Sequence, residues 1–258
     1  MNVAVTGVTG FIGIHLSEMI KKLGHDVIYI SRRKNKVFNT NCYTFDDLFE
    51  LRINSKIDCF IHLASPNYDY ANDNSLEEGI TRLTEKILEV LSNYNCKKLI
   101  FFSSAKIYGE PSLTRNQIFG ENSNSLPLTD YGKEKLKAEN KIISKADKSN
   151  LDYIIYRMPM VYGRNSNSNI NKLLKYIKKS YPFVLFKNTN HLKKSLISIE
   201  NIKLYIKYNL ENIESIRCNI FNISDKNSLS LNELVTNFKK NSGSTTFLIT
   251  LPYFLLKI

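Results

Sequence analysis

GVTGFIG, at residues 7–13, is the most informative stretch of the sequence, because it joins the β-branched run NVAVT of residues 2–6 to an apolar pattern with helical spacing. Its glycines recur every third residue, at Gly7, Gly10 and Gly13. Glycines at a strand-to-helix junction allow a tight turn and a close approach of a ligand to the backbone. The helix that follows directs unpaired N–H groups and the positive end of its dipole at that ligand. The stretch predicts a phosphate-binding turn with the members Gly7, Gly10, Phe11, Ile12 and Gly13.

The first 160 residues alternate short β-branched or aromatic runs with amphipathic segments. Predicted strands cover 2–6, 27–30, 57–63, 98–103 and 153–156, and predicted helices cover 11–23, 76–94 and 130–145. This alternation is typical of repeated βαβ units around a parallel sheet. We therefore expect an α/β protein with a Rossmann-type doubly wound parallel sheet, whose dinucleotide-binding domain spans residues 1–160.

The residue pattern of the sequence changes after Pro159, and an Asn- and Ser-rich stretch that we interpret as a loop follows at 165–169. Further helices are predicted at 170–179, 201–210 and 231–240, and further strands at 183–186, 196–199 and 219–223. We expect residues 161–258 to form a smaller, interleaved C-terminal substrate lobe, some of whose segments return to the main sheet.

The composition argues against several classes of protein. At 258 residues with 43% hydrophobic residues, 10 Gly and 6 Pro, the chain has the composition of neither a disordered nor a fibrous protein. Its cysteines (Cys42, Cys59, Cys96 and Cys218) lack C-x-x-C spacing, so we expect buried, reduced thiols. The four histidines show no ligand spacing, so we expect no metal. The net charge of +12 comes from scattered side chains, a pattern that fits an anionic small substrate better than nucleic acid.

The two ends of the chain bear on its location. No signal peptide precedes the first predicted strand, which indicates a cytoplasmic protein. The apolar stretch FLITLPYFLLKI at 247–258 is shorter than the roughly 20 residues that a bilayer requires. It can cover a core, pack in a dimer or touch a membrane surface. We expect a homodimer, no transmembrane segment and at most a weak peripheral membrane contact through this tail.

Ser31, Arg32 and Arg33 follow the second predicted strand, where an NAD site usually carries an Asp or Glu that binds ribose hydroxyls. Two guanidinium groups and a hydroxyl instead suit a 2′-phosphate, which they can hold with charge-assisted hydrogen bonds. We therefore favour NADP(H) as the cofactor, with NAD(H) as the alternative. A solvated basic turn is the remaining interpretation of these residues.

Tyr131 and Lys135 lie four residues apart at the start of a predicted helix, so their side chains share one face. A cation near a phenol favours the phenolate and so lowers the pKa of the phenol toward a value suited to acid/base catalysis at neutral pH. A chain with 15 Tyr contains such a pair easily by chance. The pair gains weight from the stretch FFSSAKIYGE at 101–110, in which Ser103 and Ser104 end a predicted strand.

Five motifs now stand in order: GVTGFIG, HLAS at 62–65, SSAKIYG at 103–109, YGKEK at 131–135 and RMPMVYG at 157–163. In order and spacing they resemble the extended short-chain dehydrogenase/reductase family over nearly the whole chain. The resemblance implies that Ser104 orients the substrate, that Tyr131 is the acid/base, and that Lys135 binds the nicotinamide ribose and lowers the pKa of the tyrosine. It also implies cofactor contacts from Leu63, Ala64, Ser65, Ser103, Met158 and either Asp46 or Asp47. A surface or helix-capping carboxylate fits these two aspartates equally well.

Two departures from the family pattern reduce the number of family reactions that fit this chain. Family dehydratases carry an Asp-Glu pair directly after the catalytic hydroxyl residue, whereas Ala105 and Lys106 stand here. Met160 replaces an Asn that many epimerases and dehydratases use near the sugar diphosphate. The chain is similar to the sugar-nucleotide 4-ketoreductase branch, which implies NADPH-dependent reduction of a nucleoside-diphosphate 4-keto-6-deoxy sugar, in some cases N-acetylated, for surface polysaccharide precursors. Expected substrate contacts are Lys106, Met160, Arg164, Lys193 and Lys194, although solvated lysines fit equally well.

Two other functions stay open at this point. One is a nucleotide-sugar 4-epimerase with tightly bound NAD, against which the Ser31-Arg32-Arg33 stretch argues. The other is a non-catalytic NADP-binding regulator. Proteins of that class usually lack the tyrosine or the lysine of the pair, whereas this chain has both Tyr131 and Lys135. The chain also ends earlier than the resemblance leads us to expect, so the substrate lobe is either naturally short or incomplete.

Overall fold

A computed structural model describes residues 1–65, 79–109, 118–166, 168–187, 189 and 191–252. The strands are β1 (Asn2–Thr6), β2 (Asp26–Ser31), β3 (Lys36–Val37), β4 (Thr40–Asn41), β5 (Tyr43–Thr44), β6 (Cys59–His62), β7 (Lys98–Ser104), β8 (Asp152–Met158), β9 (Met160–Tyr162), β10 (Phe183–Phe186), β11 (Lys193–Lys194), β12 (Leu196–Ser198), β13 (Asn219–Asn222), β14 (Leu229–Ser230) and β15 (Leu248–Leu251). The α-helices are α1 (Phe11–Lys22), α2 (Phe45–Phe49), α3 (Ile80–Val90), α4 (Asp130–Ala146), α5 (Asn169–Lys178), α6 (Ile199–Glu211) and α7 (Leu231–Ser242). Short 3-10 helices cover Ala105–Tyr108 and Ile213–Ser215.

The main sheet contains seven parallel strands in the order β13-β8-β7-β6-β1-β2-β5. The expected Rossmann-type α/β fold is therefore confirmed. The chain builds the sheet outward from β1 to β2 and β5, and then returns to the other side of β1 with β6. Ligands of such sheets bind beyond the carboxyl ends of the strands at this reversal, here between β1 and β6.

The core lies between the main sheet and the helices α2, α3 and α4. Phe60 of β6 and Phe101 of β7 are fully buried and pack with Leu48, Ile87 and Ile142 from these three helices. The central strands are apolar along their length because helices cover both faces of a parallel sheet. Each large side chain buried in this way contributes about 2 kcal/mol to stability, and together they fix the strand ends that carry the motifs.

Two compact units divide the chain. The described residues of 1–110, 119–158 and 200–223 form the first unit, which contains the main sheet, and β13 joins that sheet beside β8. The described residues of 159–199 and 224–258 belong to the second unit. Its elements pair as β9 with β12, β10 with β15, and β11 with β14. A small apolar cluster of Ile177, Leu185 and Val235 holds α5, β10 and α7 together.

Three expectations about local structure need correction or restriction. Cys218 is exposed, unlike the other three cysteines, because it immediately precedes the outermost strand β13. In the apolar tail, Leu248–Leu251 forms strand β15, and Leu248 packs against the cluster of the second unit, which is the core-covering alternative. Residues 253–258 of the tail and residues 76–78 of the predicted helix 76–94 lie outside the described residues. Within the described part of the chain, no helix is long and apolar enough to cross a bilayer.

Candidate active site

The glycine turn and the end of β6 touch each other at the sheet reversal. Gly7 has a φ of 71°, and a Cβ added to it would lie 3.0 Å from the backbone nitrogen of Ala64. A Cβ on Gly13 would lie 2.2 Å from the Gly7 carbonyl oxygen and 2.8 Å from the Val8 Cα. Because both contacts are with backbone atoms, no side chain can move to relieve them. The turn and the first helical residues therefore form one close-packed backbone surface.

The N-terminus of α1 is open to a ligand. Gly10 is its N-cap residue and provides no side-chain capping hydrogen bond, and the first turn contains no acidic residue. The Gly10 amide donates to the Gly7 carbonyl oxygen at 2.9 Å, which closes the turn. An uncapped helix start leaves its first N–H groups and the positive dipole end for an anion. This geometry fits the pyrophosphate of a dinucleotide.

A chain of hydrogen bonds fixes the end of β6 against the end of β1. The buried Thr84 hydroxyl donates to the Ile80 carbonyl oxygen at 2.8 Å, so it can only accept from His62 Nε2, which lies 3.2 Å away. His62 Nδ1 then accepts from the Thr6 hydroxyl at 2.9 Å. Thr6 Oγ1 in turn accepts from the backbone amides of Leu63 and Ala64, both at 3.1 Å. Burial, with a smaller contribution from the charge of Lys135, lowers the pKa of His62 to about 3, so its ring is neutral.

One buried polar atom beside these hydrogen bonds has no partner within the described part of the protein. The Ser65 hydroxyl is buried and has no hydrogen-bond partner among the described residues. A buried hydroxyl without a partner is costly unless a ligand or water pairs with it. With the glycine turn and the open helix start, Ser65 makes this edge of the sheet fit a dinucleotide. Leu63, Ala64 and Ser65 thus stand at the reversal where their cofactor contact is predicted.

The residues expected at the adenosine end differ in how they are engaged. Arg32 and Arg33 are exposed after β2, and the buried Ser31 hydroxyl donates to the Arg33 carbonyl oxygen, which shapes this turn. Asp47 accepts from the Thr44 amide at 2.7 Å and from the Thr44 hydroxyl at 2.9 Å in a capping box of α2. Asp46 lies exposed in the first turn of the same helix. The helix-capping interpretation therefore describes Asp47.

Ser104, Tyr131 and Lys135 all belong to the first unit, on neighbouring elements. Ser104 ends β7 and caps the following 3-10 helix by accepting from the Lys106 amide at 3.2 Å. Tyr131 lies in the first turn of α4, which begins where the Thr129 side chain accepts from the Gly132 amide. The Lys135 and Lys106 ammonium nitrogens lie 5.8 Å and 6.0 Å from the Tyr131 ring centroid. Two cations thus flank the phenol that is expected to exchange protons.

Close contact between backbones sets the position of Tyr131. A Cβ on Gly132 would lie 2.7 Å from the Lys106 carbonyl oxygen. Only a residue without a side chain lets the start of α4 come this close to the turn after Ser104. Gly132 is therefore a positioning residue, which the motif YGKEK contained although its role was not identified from sequence.

Lys135 is buried beneath the site. Its ammonium donates to the Phe102 carbonyl oxygen at 2.7 Å, and its side chain is 2% exposed. Burial lowers the pKa of Lys135 to about 7, although the nearby Glu139 carboxylate raises it. The ammonium is therefore poised to change charge near neutral pH, where the charge of a neighbouring group can decide its state.

A buried ionic network lies behind Lys135 and was not identified from the sequence. Glu139 accepts from the Ser103 hydroxyl and forms a salt bridge with Arg157 at 2.7 Å. Arg157 also donates to the Tyr108 hydroxyl at 2.8 Å, and Tyr108 donates to Asn222 at 2.8 Å. Ser103 thus holds Glu139 through its hydroxyl, in addition to any contact with a cofactor. The four-residue spacing from Lys135 to Glu139 on one helix face was the available signal.

The remaining predicted contacts fall in two places. Met158 ends β8 and pairs in register with Ser104, so it lies beside that residue at the end of the sheet. Met160, Arg164, Lys193 and Lys194 belong to the second unit. Lys193 forms an ion pair at 3.5 Å with Glu233, which itself caps α7, while Lys194 is exposed. Substrate contacts by these four residues stay predictions.

Comparisons with known proteins agree with this geometry. The sequence model of the NAD-dependent epimerase/dehydratase family matches residues 3–223. The chain is 26% identical over 270 residues to the UDP-glucose 4-epimerase of Vibrio cholerae, an alignment that covers all of this chain and 80% of that protein. It is 29% identical over 197 residues to the dTDP-D-glucose 4,6-dehydratase of Dictyostelium discoideum, with 62% of this chain and 44% of that protein covered.

A solved structure supports the fold. The crystal structure of UDP-glucuronic acid 4-epimerase from Bacillus cereus in complex with NAD superposes with a TM-score of 0.77 at 23% identity and covers 98% of this chain and 86% of that one. The expected membership of the extended short-chain dehydrogenase/reductase group is confirmed, while these relatives include no 4-ketoreductase. The chain belongs to the NAD-dependent epimerase/dehydratase family.

Proposed function

We propose that this protein is a nucleoside-diphosphate-sugar 4-epimerase that works with a bound NAD. The observation that carries the proposal is the grouping of Ser104, Tyr131 and Lys135 at the carboxyl edge of the main sheet, with only strand β6 between β7, which carries Ser104, and β1, which leads into the glycine turn. The similarity to an epimerase over the whole chain favours epimerisation over the 4-keto reduction expected from sequence.

When bound, NAD would supply the hydride chemistry that oxidation and re-reduction at C4 of the sugar require. The residues of this chain that would hold it are the glycine turn, the open start of α1 and Ser65. The nicotinamide end would lie near Met158 and Lys135, which flank the strand end that carries Ser104.

Tyr131 holds and moves the proton. As a phenolate it takes the proton from the C4 hydroxyl, and as a phenol it gives the proton back when the C4 centre is reduced again. Ser104 hydrogen-bonds to the C4 oxygen and holds it near the phenol. Lys135 and Lys106 favour the phenolate, because both ammonium groups lie about 6 Å from its ring.

Dehydration is disfavoured because elimination needs an acid and a base beside the sugar. Ala105 and Lys106 occupy the two positions after Ser104, and neither supplies a carboxylate. A lysine there can donate a hydrogen bond to an oxygen of the sugar. The residues that follow Ser104 therefore suit oxidation and reduction at C4 better than loss of water.

Reduction of a 4-keto sugar by NADPH is the second candidate, and one observation favours it. Arg32 and Arg33 are exposed after β2, where they could pair with a 2′-phosphate. The stretch between Ser31 and Phe38 contains no carboxylate to bind ribose hydroxyls. The identity of the bound dinucleotide therefore separates the two candidates.

The test begins with the purified protein, which is denatured so that any released dinucleotide can be quantified. Near-stoichiometric NAD, together with conversion of UDP-glucose to UDP-galactose without added cofactor, supports the epimerase. NADP in the site, with NADPH oxidised by 4-keto sugar nucleotides and no C4 epimer formed, would establish the reductase.

A matched pair of variants tests the role of the phenol. Tyr131→Phe should lower kcat by at least about a hundredfold, the scale of acid/base catalysis, while the dinucleotide stays bound. Tyr181→Phe is the control, because Tyr181 is an exposed tyrosine of the second unit. Near-normal kcat in Tyr131→Phe would refute the assignment, and loss of bound dinucleotide would show that the phenol serves binding instead.

A further inference from the structure

Lys106 is an exposed cation at the site of proton transfer. Its amide caps Ser104, and its ammonium lies 6.0 Å from the centroid of the Tyr131 ring. No carboxylate among the described residues forms an ion pair with it, although many other lysines of the chain are paired in this way. The ammonium is thus available to a ligand that Ser104 and Tyr131 hold.

The contacts of its backbone fix where the Lys106 side chain starts. The Lys106 carbonyl oxygen lies against Gly132 and accepts from the Gly109 amide at 3.3 Å. The side chain of Lys106 therefore projects from a turn that is held on both sides. A lysine on a fixed turn can bind one particular substituent of the substrate more selectively than a lysine on a free loop can.

The chemistry of the reaction narrows the part of the substrate near Lys106 to the substituents on C3 and C5, the two ring carbons bonded to C4. Ser104 and Tyr131 meet the oxygen on C4 of the sugar, so a group that approaches the same phenol lies near the substituents of the neighbouring ring carbons. C5 is one of these carbons, and it carries C6. A neutral hydroxymethyl group at C6 would offer the ammonium a single hydrogen bond, whereas a carboxylate would form a charge-assisted one of about twice the strength.

We propose that Lys106 recognises a C6 carboxylate, so that the preferred substrates are nucleotide sugars whose hexose is a uronic acid. This inference rests on the proposed 4-epimerase function and names its substrate class. The carboxylate would face the ammonium while the C4 oxygen faces Ser104 and Tyr131. The same contact would neutralise one of the two cations that flank the phenol.

The experiment compares UDP-glucuronic acid with UDP-glucose, because these substrates differ only at C6. Wild-type enzyme and Lys106→Met are assayed for the C4 epimer of each. We expect wild type to favour the uronic acid in kcat/KM by about tenfold or more, the scale of one hydrogen bond to a charged group. In Lys106→Met this ratio should fall by about 10- to 100-fold, mainly through KM.

Two further variants make the result specific. Lys106→Arg keeps the charge and should retain most of the preference. Lys133→Met removes an exposed lysine of α4 that pairs with Asp130, and should leave the ratio unchanged.

Each outcome decides between the two proposals. If wild type epimerises UDP-glucose at least as well as the uronic acid, the inference is refuted and the epimerase proposal stands. If Lys106→Met slows both substrates equally or only moves the pH optimum, Lys106 acts on Tyr131 alone and the inference is again refuted. If no C4 epimer of either sugar is formed, both proposals fail.

Discussion

Replacing Lys135 by methionine should abolish catalysis and stabilise the fold at neutral pH. The lysine side chain is 2% exposed, and burial lowers its pKa from 10.5 to about 7 in spite of the opposing effect of Glu139. Methionine has a similar length and no charge, so Lys135→Met removes the buried ammonium without opening a large cavity. The variant therefore separates the cost of the charge from the space that the side chain fills.

The pKa sets both the size and the pH dependence of this effect. Each pKa unit corresponds to about 1.4 kcal/mol, so the shift of Lys135 costs the folded state about 5 kcal/mol as an upper limit. The cost is complete below pH 7, where the folded and unfolded chains both hold the proton. It decreases as the pH rises from 7 to 10.5, because the folded chain is then neutral while the unfolded chain still binds the proton. Stability of the wild-type protein should rise over this window.

Urea unfolding at several pH values measures the effect. Without added cofactor, we expect Lys135→Met to exceed wild type by about 2 to 5 kcal/mol at pH 7, with a difference that shrinks toward pH 10. Lys133→Met is the control, because Lys133 is about half exposed on the same helix, and it should change stability little at any pH. A Lys135→Met variant that is less stable than wild type at pH 7, or a difference independent of pH, would refute this account of the buried lysine.

Three further predictions concern the geometry of the site. Gly13→Ala should prevent dinucleotide binding, measured by titration calorimetry, because the added Cβ would lie 2.2 Å from the Gly7 carbonyl oxygen. Gly120→Ala is the control and should bind normally, because Gly120 has open space around it. Equal affinities of the two variants would contradict the close packing of the turn. Gly132→Ala should lower kcat by about 10- to 100-fold with little change in the affinity for dinucleotide, since it displaces Tyr131; unchanged kcat would refute its positioning role. The His62 ring should stay neutral with the proton on Nε2 from pH 5 to 8 in nitrogen NMR spectra, and a protonated ring at pH 6 would contradict the chain of hydrogen bonds to Thr84.

Local signals made the sheet reversal predictable. The strand β1, the glycine turn and helix α1 follow one another within 22 residues, so the pattern of residues and the contacts that satisfy it are close in sequence. The predicted helix 11–23 ends at Lys22 in the structure, and the predicted strand 183–186 has the same bounds. Short elements such as α2 offer too few residues for a periodic pattern, but its Thr44-x-x-Asp47 capping box was visible.

Contacts between distant segments were not predictable in the same way. Glu139 and Arg157 meet because Arg157 lies beside Ser103 in the register of β7 and β8, and a sequence pattern does not specify that register. The apolar tail likewise suggested a core, an interface or a membrane surface, and its pairing with β10 depends on a segment about 65 residues earlier. Arg32 and Arg33 led to the expectation of NADP, whereas the chain is similar over its whole length to a UDP-glucose 4-epimerase, on which the proposal of an NAD-linked epimerase rests.

Retention of a deuterium label at C4 shows directly whether this protein is a 4-epimerase. The purified enzyme is incubated with UDP-glucose deuterated at C4, without added nicotinamide cofactor, and the products are followed by NMR. A 4-epimerase should give a mixture of UDP-glucose and UDP-galactose in which deuterium remains on C4 of both sugars, because the hydride leaves and returns within one site. Absence of a C4 epimer from both UDP-glucose and, in a parallel incubation, UDP-glucuronic acid, or an epimer whose C4 carries hydrogen from water, would show that the protein is not a 4-epimerase.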